Sequence, residues 1–128
     1  FEIEPETPYT EGDLDRRDKA SRSSVEMNDR ESRPAIRSRV EDTDQYDVVF
    51  VGFPVWWYRE SSIIDTFMEA YNFRGKTVVP FVTSGGSQLG DSAKNMQALA
   101  PGAEVMAGKR FSADVSGKEL AAWALEWI

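Results

Sequence analysis

The stretch VVFVGFPVWWYRE, residues 48–60, joins a continuous apolar run to a proline, two tryptophans and a tyrosine. From Tyr46 to Val55 the apolar residues do not alternate with polar ones, which is typical of a central parallel strand covered on both faces. The aromatic residues would lie just beyond the carboxyl end of that strand, where ligands bind in open α/β sheets. The stretch therefore predicts a buried strand followed by an aromatic ligand loop.

Strand and helix patterns alternate along the rest of the chain. SSIIDTFMEAYNFRGK predicts a helix, in which Ser62 and Asp65 form an S-x-x-D capping pattern. A second buried strand follows at Thr77–Thr83, although Pro80 removes one donor from its hydrogen-bond ladder.

A third round of the pattern completes the predicted sheet. The Gly-rich loop SGGSQLG leads into a helix at DSAKNMQALA, a strand at AEVMAGKRF and a last helix that begins at a capping box of Ser116 and Glu119. Strands and helices alternating at this spacing predict an α/β fold with a parallel sheet and right-handed crossovers.

The first 45 residues differ, because they are dense in charge and poor in large apolar side chains. FEIEP reads as a short peripheral strand. RPAIRSRV predicts a short helix from Pro34, since proline is tolerated in a first turn. We expect residues 1–128 to form a single domain.

Two absences restrict the chemistry. The chain has no cysteine and no histidine, which excludes a thiolate nucleophile, an imidazole base and Cys or His metal ligands. No carboxylate pair suggests acid–base catalysis, so we predict no catalytic and no metal-binding residue. Any chemistry would then depend on a bound cofactor.

The charge balance is acidic, with 15 basic and 22 acidic residues and a formal net charge of −7. That sign argues against nucleic acid and anionic membranes as partners. No apolar run is long enough for a membrane span, and no signal peptide is recognisable at Phe1. The sequence predicts a cytoplasmic protein.

At these same motifs the sequence resembles a known family. YDVVFVGFPVWWY and, after one helix, GKTVVPFVTSGGSQLGDSAKNMQALAPGA are similar to flavodoxin-like proteins, in particular bacterial flavodoxins with tandem tryptophans in the first flavin loop. The upstream NDRESRPAIRSRVEDTDQYD resembles the same group. Several separated motifs match in order over residues 25–111.

The resemblance implies a three-layer flavodoxin-like sandwich with strand order 2-1-3-4-5, FMN as cofactor, and electron transfer of one or two electrons. The redox partner would be a protein or a small-molecule electron acceptor. If the residues that match the family's motif keep their role, the first flavin loop would comprise Pro54, Val55, Trp56, Trp57 and Tyr58. The loop at the pyrimidine side of the flavin would comprise Thr83, Ser84, Gly85, Gly86 and Ser87.

The sequence departs from this family at three places. Arg59-Glu60-Ser61 stand where a small residue or proline is common, and Gln88 stands where a small residue is usual. The chain opens with FEIEP, which matches the second strand, so strand one and its phosphate loop are absent from the given sequence. Three outcomes are open: the missing segment lies in the molecule outside the given sequence, strand two pairs directly with strand three, or a partner chain supplies the strand. If the first strand is truly missing, we expect the chain to form a homo-oligomer or to aggregate.

Other interpretations remain open from sequence alone. Trp56 and Trp57 could be core or interface aromatics, and SGGSQLG could cradle a phosphate. The main hypothesis is an FMN-dependent electron carrier or oxidoreductase. The alternative is a truncated flavodoxin-fold module that has lost FMN and acts in interaction or assembly. A nicotinamide-binding Rossmann domain is disfavoured, because no G-x-G-x-x-G follows a strand.

Overall fold

The computed structural model describes residues 1–128 and combines one small parallel sheet with four α-helices. None of the helices has the length and apolar character that a membrane crossing requires. The strands are β1 (Val48–Phe53), β2 (Val55–Trp56), β3 (Arg59–Glu60), β4 (Thr77–Thr83), β5 (Glu104–Val105) and β6 (Lys109–Phe111). The helices are α1 (Arg22–Asn28), α2 (Ser62–Ala70), α3 (Ser92–Leu99) and α4 (Gly117–Ala124).

The parallel sheet is built around β4. Strand β1 pairs with β4 along its whole length, from Val48 opposite Thr77 to Phe53 opposite Val82. On the other side of β4 lie β5 and β6, both parallel to it. The predicted α/β fold with a parallel sheet is confirmed.

The strand predicted over AEVMAGKRF is interrupted, and Pro80 explains why. Strand β5 pairs with the start of β4 and β6 with its end, leaving Pro80 between them. Proline has no N–H to donate to a neighbouring strand. Opposite it, Gly108 adopts a φ of +81°, and a Cβ there would lie 2.2 Å from the Pro80 carbonyl oxygen. The chain therefore bends away between β5 and β6.

Helices cover both faces of the sheet. On one face, α2 and α3 bury Phe67, Met68 and Met96 against Val51 and Phe53. On the other face, Trp123 of α4 makes edge-to-face contacts with Phe50, Phe81 and Phe111. The layers are thus helix, sheet and helix, and β-strand alternation supplies an apolar side chain to each face in turn.

Two predictions for the first 45 residues are wrong. FEIEP forms no strand of the sheet, because Pro5 makes only an isolated antiparallel bridge with Ile36. The same bridge holds RPAIRSRV extended, so no helix begins at Pro34. The helix of this region is α1 instead, where the Ser21 side chain accepts the Ser24 N–H and caps the first turn.

The outer edge of β1 borders an apolar groove of about 850 Å³, which we call the β1 groove. Strand β1 pairs with β4 only, so its other edge has no strand partner. Phe1–Ile3 form part of the opposite wall. This groove lies between FEIEP and the edge of β1, and the backbone of Glu4 and Glu6 is hydrogen-bonded to Arg37 and Ala35 instead.

Candidate functional site

The segment after β1 turns back on itself as a tight hairpin. Strands β2 and β3 are antiparallel, with Trp56 opposite Arg59, which leaves Trp57 and Tyr58 as a two-residue turn. Both turn residues have positive φ values, 48° and 65°, as type I′ hairpin turns require. This conformation usually selects Asn and Gly, and costs other residues about 1–2 kcal/mol each. Strain of this kind clusters at functional sites.

The turn presents its aromatic rings to solvent. Trp57 is 40% exposed and Tyr58 is 83% exposed. Large apolar side chains in a core would be covered, so the interpretation of Trp57 as a core aromatic is wrong. Trp56 is half-buried and meets the Tyr9 ring edge-to-face at 5.7 Å between centroids.

The Gly-rich loop lies beside this hairpin. Ser84 fixes its start, because its N–H donates to the Phe111 carbonyl and Arg110 donates to the Ser84 hydroxyl and carbonyl oxygens, at 3.1 and 2.9 Å. The N–H groups of Gly85, Gly86 and Ser87 make no hydrogen bond within the chain. They remain available to acceptor atoms of a ligand.

A cleft of about 700 Å³ opens between the hairpin turn, the Gly-rich loop and the segment before α1; we call it the aromatic cleft. Its volume is in the usual range for small-molecule sites. Its wall comprises Leu14, Arg16, Arg17, Ser23, Val55, Trp56, Trp57, Tyr58 and Ser87.

The aromatic cleft brings together only part of the site that the resemblance implied. Val55, Trp56, Trp57, Tyr58 and Ser87 line it. Thr83, at the end of β4, and Ser84, Gly85 and Gly86, in the β4–α3 connection, form no part of its wall. Pro54 lines the β1 groove instead. The cleft residues that sequence reasoning missed are Leu14, Arg16, Arg17 and Ser23, because a charged segment far upstream gave no signal of proximity.

Tyr9 connects α1 to the wall of the cleft. Its hydroxyl donates to the Glu26 carboxylate, and the Arg22 guanidinium lies 3.8 Å from its ring centroid. Burial, assisted by the Glu26 carboxylate, raises the pKa of Tyr9 above its ordinary value. The neutral phenol therefore acts as a fixed donor, and its ring supports Trp56.

Beneath the hairpin lies a buried cluster of charged side chains. Arg59, Glu60 and Asp65 are all at least 94% buried. The Arg59 Nη1 atom lies 3.5 Å from the Glu60 carboxylate and 3.4 Å from the Asp65 carboxylate. Arg59 also donates to the Met27 carbonyl at 3.1 Å, and Asn95 donates to Glu60 at 3.3 Å. The charged residues that depart from the family pattern thus point inward, away from the cleft.

This cluster overturns one sequence prediction. Ser62 and Asp65 do not cap α2; Ser61 is its N-cap residue, while Ser62 donates to the Glu26 carbonyl. Asp65 is buried, and burial and the neighbouring Glu60 carboxyl raise its pKa to about 7 against the opposing charges of Arg33 and Arg59. One oxygen each of Glu60 and Asp65 has no hydrogen-bond partner.

The aromatic cleft suits a planar heterocycle. Exposed rings supply surfaces for offset stacking, and the free N–H groups of the Gly-rich loop suit acceptor atoms at the edge of such a ring. Open space surrounds Gly85 and Gly86, where an added Cβ would meet nothing within 4 Å. The residues present therefore fit a flavin ring.

Comparison with known proteins gives one family and several similar structures. A family model described as flavodoxin matches residues 1–127. A candidate flavoprotein from Bacteroides uniformis ATCC 8492 is 43% identical, with a TM-score of 0.88 over 98% of this chain and 80% of its own. One from Bacteroides eggerthii DSM 20697 is 44% identical, with a TM-score of 0.85 over 100% of this chain and 79% of its own.

A more distant structure shares the fold. The flavoprotein from Lactobacillus acidophilus NCFM, solved in complex with FMN, is 24% identical, with a TM-score of 0.59 over 90% of this chain and 75% of its own. No curated protein sequence gives a significant match.

Proposed function

Because the chain belongs to the flavodoxin family, we propose that it binds FMN in the aromatic cleft and acts in electron transfer. The observation that carries this proposal is the position of Trp57 and Tyr58, exposed on a strained turn beside the unpaired N–H groups of the Gly-rich loop. A strained, exposed aromatic pair has no evident role in stabilising the fold.

Residues in the wall of the cleft and in the adjoining Gly-rich loop have separate tasks in this proposal. FMN supplies the redox chemistry when bound, by accepting and releasing electrons. Trp57 and Tyr58 stack on its ring and exclude water from it. The N–H groups of Gly85, Gly86 and Ser87 donate to the polar edge of the ring.

The test is to saturate the protein with FMN, remove free flavin by gel filtration, and record the visible absorption spectrum. We expect retained flavin that is bleached by dithionite and restored by an oxidant. A protein that emerges colourless would contradict the proposal. The natural electron donor and acceptor, and hence the choice between carrier and oxidoreductase, would then be sought by reoxidation with protein and quinone acceptors.

The β1 groove favours a second candidate function, that of an assembly module. Its occupant would be a second copy of the chain, because an unpaired apolar strand edge can pair with the same edge of a two-fold related copy. Sedimentation velocity of residues 1–128 tests this. We expect a dimer that V48K, in the groove, converts to monomer, while V25K, on the exposed face of α1, does not. A monomeric wild-type chain would contradict it.

A further inference from the structure

Two neighbouring cations lie in the wall of the aromatic cleft. Arg16 and Arg17 line it together with Trp57 and Tyr58. Both arginines are exposed, and neither guanidinium group takes part in an ion pair or a hydrogen bond. In a chain with an excess of acidic residues, two unpaired guanidinium groups at a ligand cleft need an explanation.

The acidic residues close by in sequence have other partners. Asp13 accepts the Thr10 N–H at 3.0 Å, Asp15 accepts the Arg17 N–H at 3.0 Å, and Asp18 accepts the Ala20 N–H at 2.9 Å. These carboxylates hold the turns of the segment instead of pairing with the arginines. None of these three carboxylates forms an ion pair with Arg16 or Arg17.

The chemistry of this wall indicates its ligand. Guanidinium groups donate in a planar fork that matches carboxylate, sulfonate and phosphate oxygens. The aromatic rings beside them, and the exposed Leu14 in the same wall, favour an apolar planar body. A ligand that uses the whole wall would combine a flat ring with an acidic group.

We propose that Arg16 and Arg17 bind the acidic group of a planar ligand in the aromatic cleft. This proposal extends the FMN function above, because the acidic group belongs either to the flavin's own phosphate or to a second ring-shaped molecule that exchanges electrons with the flavin. The two sources share one chemistry and differ in which ligand loses affinity when the arginines are neutralised.

The variant is R16Q/R17Q, which removes both charges and keeps hydrogen-bonding side chains. Its matched control is K94Q/K118Q, which changes the net charge equally at two exposed lysines that line neither cavity. R16K/R17K keeps the charge without the planar fork. Unfolding curves for all four proteins verify that the fold is retained.

Isothermal titration calorimetry supplies the readout with two matched pairs of probes. FMN and riboflavin differ by the phosphate; naphthalene-2-sulfonate and naphthalene-2-sulfonamide differ by the charge. The naphthalene probes are titrated into flavin-free and FMN-saturated protein. We expect R16Q/R17Q to weaken binding of at least one anionic probe about tenfold or more, as expected for charge-assisted hydrogen bonds, with the neutral probes and the lysine control unchanged.

The results distinguish the two possible sources of the acidic group. They also distinguish failure of this proposal from failure of the FMN function. If R16Q/R17Q loses affinity for FMN but not for riboflavin or the sulfonate, the arginines bind the flavin phosphate. If it loses affinity only for the sulfonate, they bind a second ligand. The proposal would be overturned if wild type and R16Q/R17Q bound both anionic probes with equal affinity. It would also be overturned if R16Q/R17Q lost as much affinity for the neutral probes as for the anionic ones. If wild type bound no flavin, the FMN function would fail, while the sulfonate comparison on flavin-free protein would still decide this proposal.

Discussion

The carbonyl oxygen of Tyr58 occupies the space where a side chain on Gly90 would begin, because a Cβ built there would lie 2.0 Å from it. This close approach joins the hairpin turn to the end of the Gly-rich loop. Gly90 also has a φ of +56°, which disfavours other residues. One glycine thus lets the two loops of the candidate site meet at one rim of the sheet.

Substituting Gly90 with alanine should therefore damage both stability and the cleft. We expect G90A to lower the free energy of unfolding by about 3 kcal/mol, since it combines overpacking with left-handed strain. Displacement of Tyr58 should weaken FMN binding about tenfold or more. Urea unfolding and flavin fluorescence titration measure the two effects.

Gly75 provides the matched control for this substitution. Its φ of +79° carries the same conformational strain, but an added Cβ would meet nothing within 4 Å. We expect G75A to cost about 1–2 kcal/mol and to leave flavin affinity unchanged. Equal effects of G90A and G75A would show that the contact with Tyr58 has no consequence.

The buried Asp65 should make stability depend on pH. Its pKa in the folded state is about 7, whereas an unfolded aspartate titrates near 3.9. Between these values the folded chain retains a proton that the unfolded chain has released. The free energy of unfolding should therefore fall as pH rises from about 4 to about 7, with the stabilising contribution lost above that window.

The variant D65N tests this interpretation because an amide stays neutral and can donate to Glu60. We expect D65N to unfold with a flatter pH profile than wild type and to be more stable at pH 8 by roughly 2–4 kcal/mol. E41Q changes the charge equally at an exposed site and should keep the wild-type profile. A D65N profile as steep as that of wild type would refute the account of the cluster.

Removing the Tyr9 hydroxyl should separate stability from ligand binding. Y9F leaves the buried Glu26 carboxylate without its phenol donor, which we expect to cost about 1–3 kcal/mol. The ring that contacts Trp56 is retained, so flavin affinity should change less than twofold. Thermal unfolding and FMN titration measure this; Y46F, at an exposed tyrosine, is the control and should resemble wild type. Full stability of Y9F would contradict the role of this hydrogen bond.

Much of the fold could be predicted from local patterns. Apolar runs identified β1 and β4, and the cap at Ser116 correctly marked the start of α4. The failures occurred where a distant partner decides local structure. FEIEP joins no strand of the sheet because its backbone pairs with residues 35–37, and Ser62 does not cap α2 because its hydroxyl is bonded to α1.

Only part of the candidate site could be predicted from the sequence. Trp57 and Tyr58 follow a strand directly, so the rule for open α/β sheets placed them at a ligand-binding edge. The arginines of the cleft and the Glu60–Asp65 contact depend on the path of the chain between elements, which no periodicity encodes. Partners, oligomeric state and the cytoplasmic location stay predictions.

The measurement that tests the central claim most directly is a fluorescence titration of FMN with wild type, the double variant W57A/Y58A and the control Y46A. Tyr46 is also exposed but lines the β1 groove. We expect wild type and Y46A to quench flavin fluorescence with similar dissociation constants, and W57A/Y58A to bind about tenfold or more weakly. Unchanged fluorescence with wild type at high micromolar concentrations, or equal binding by W57A/Y58A, would contradict a flavin site in the aromatic cleft.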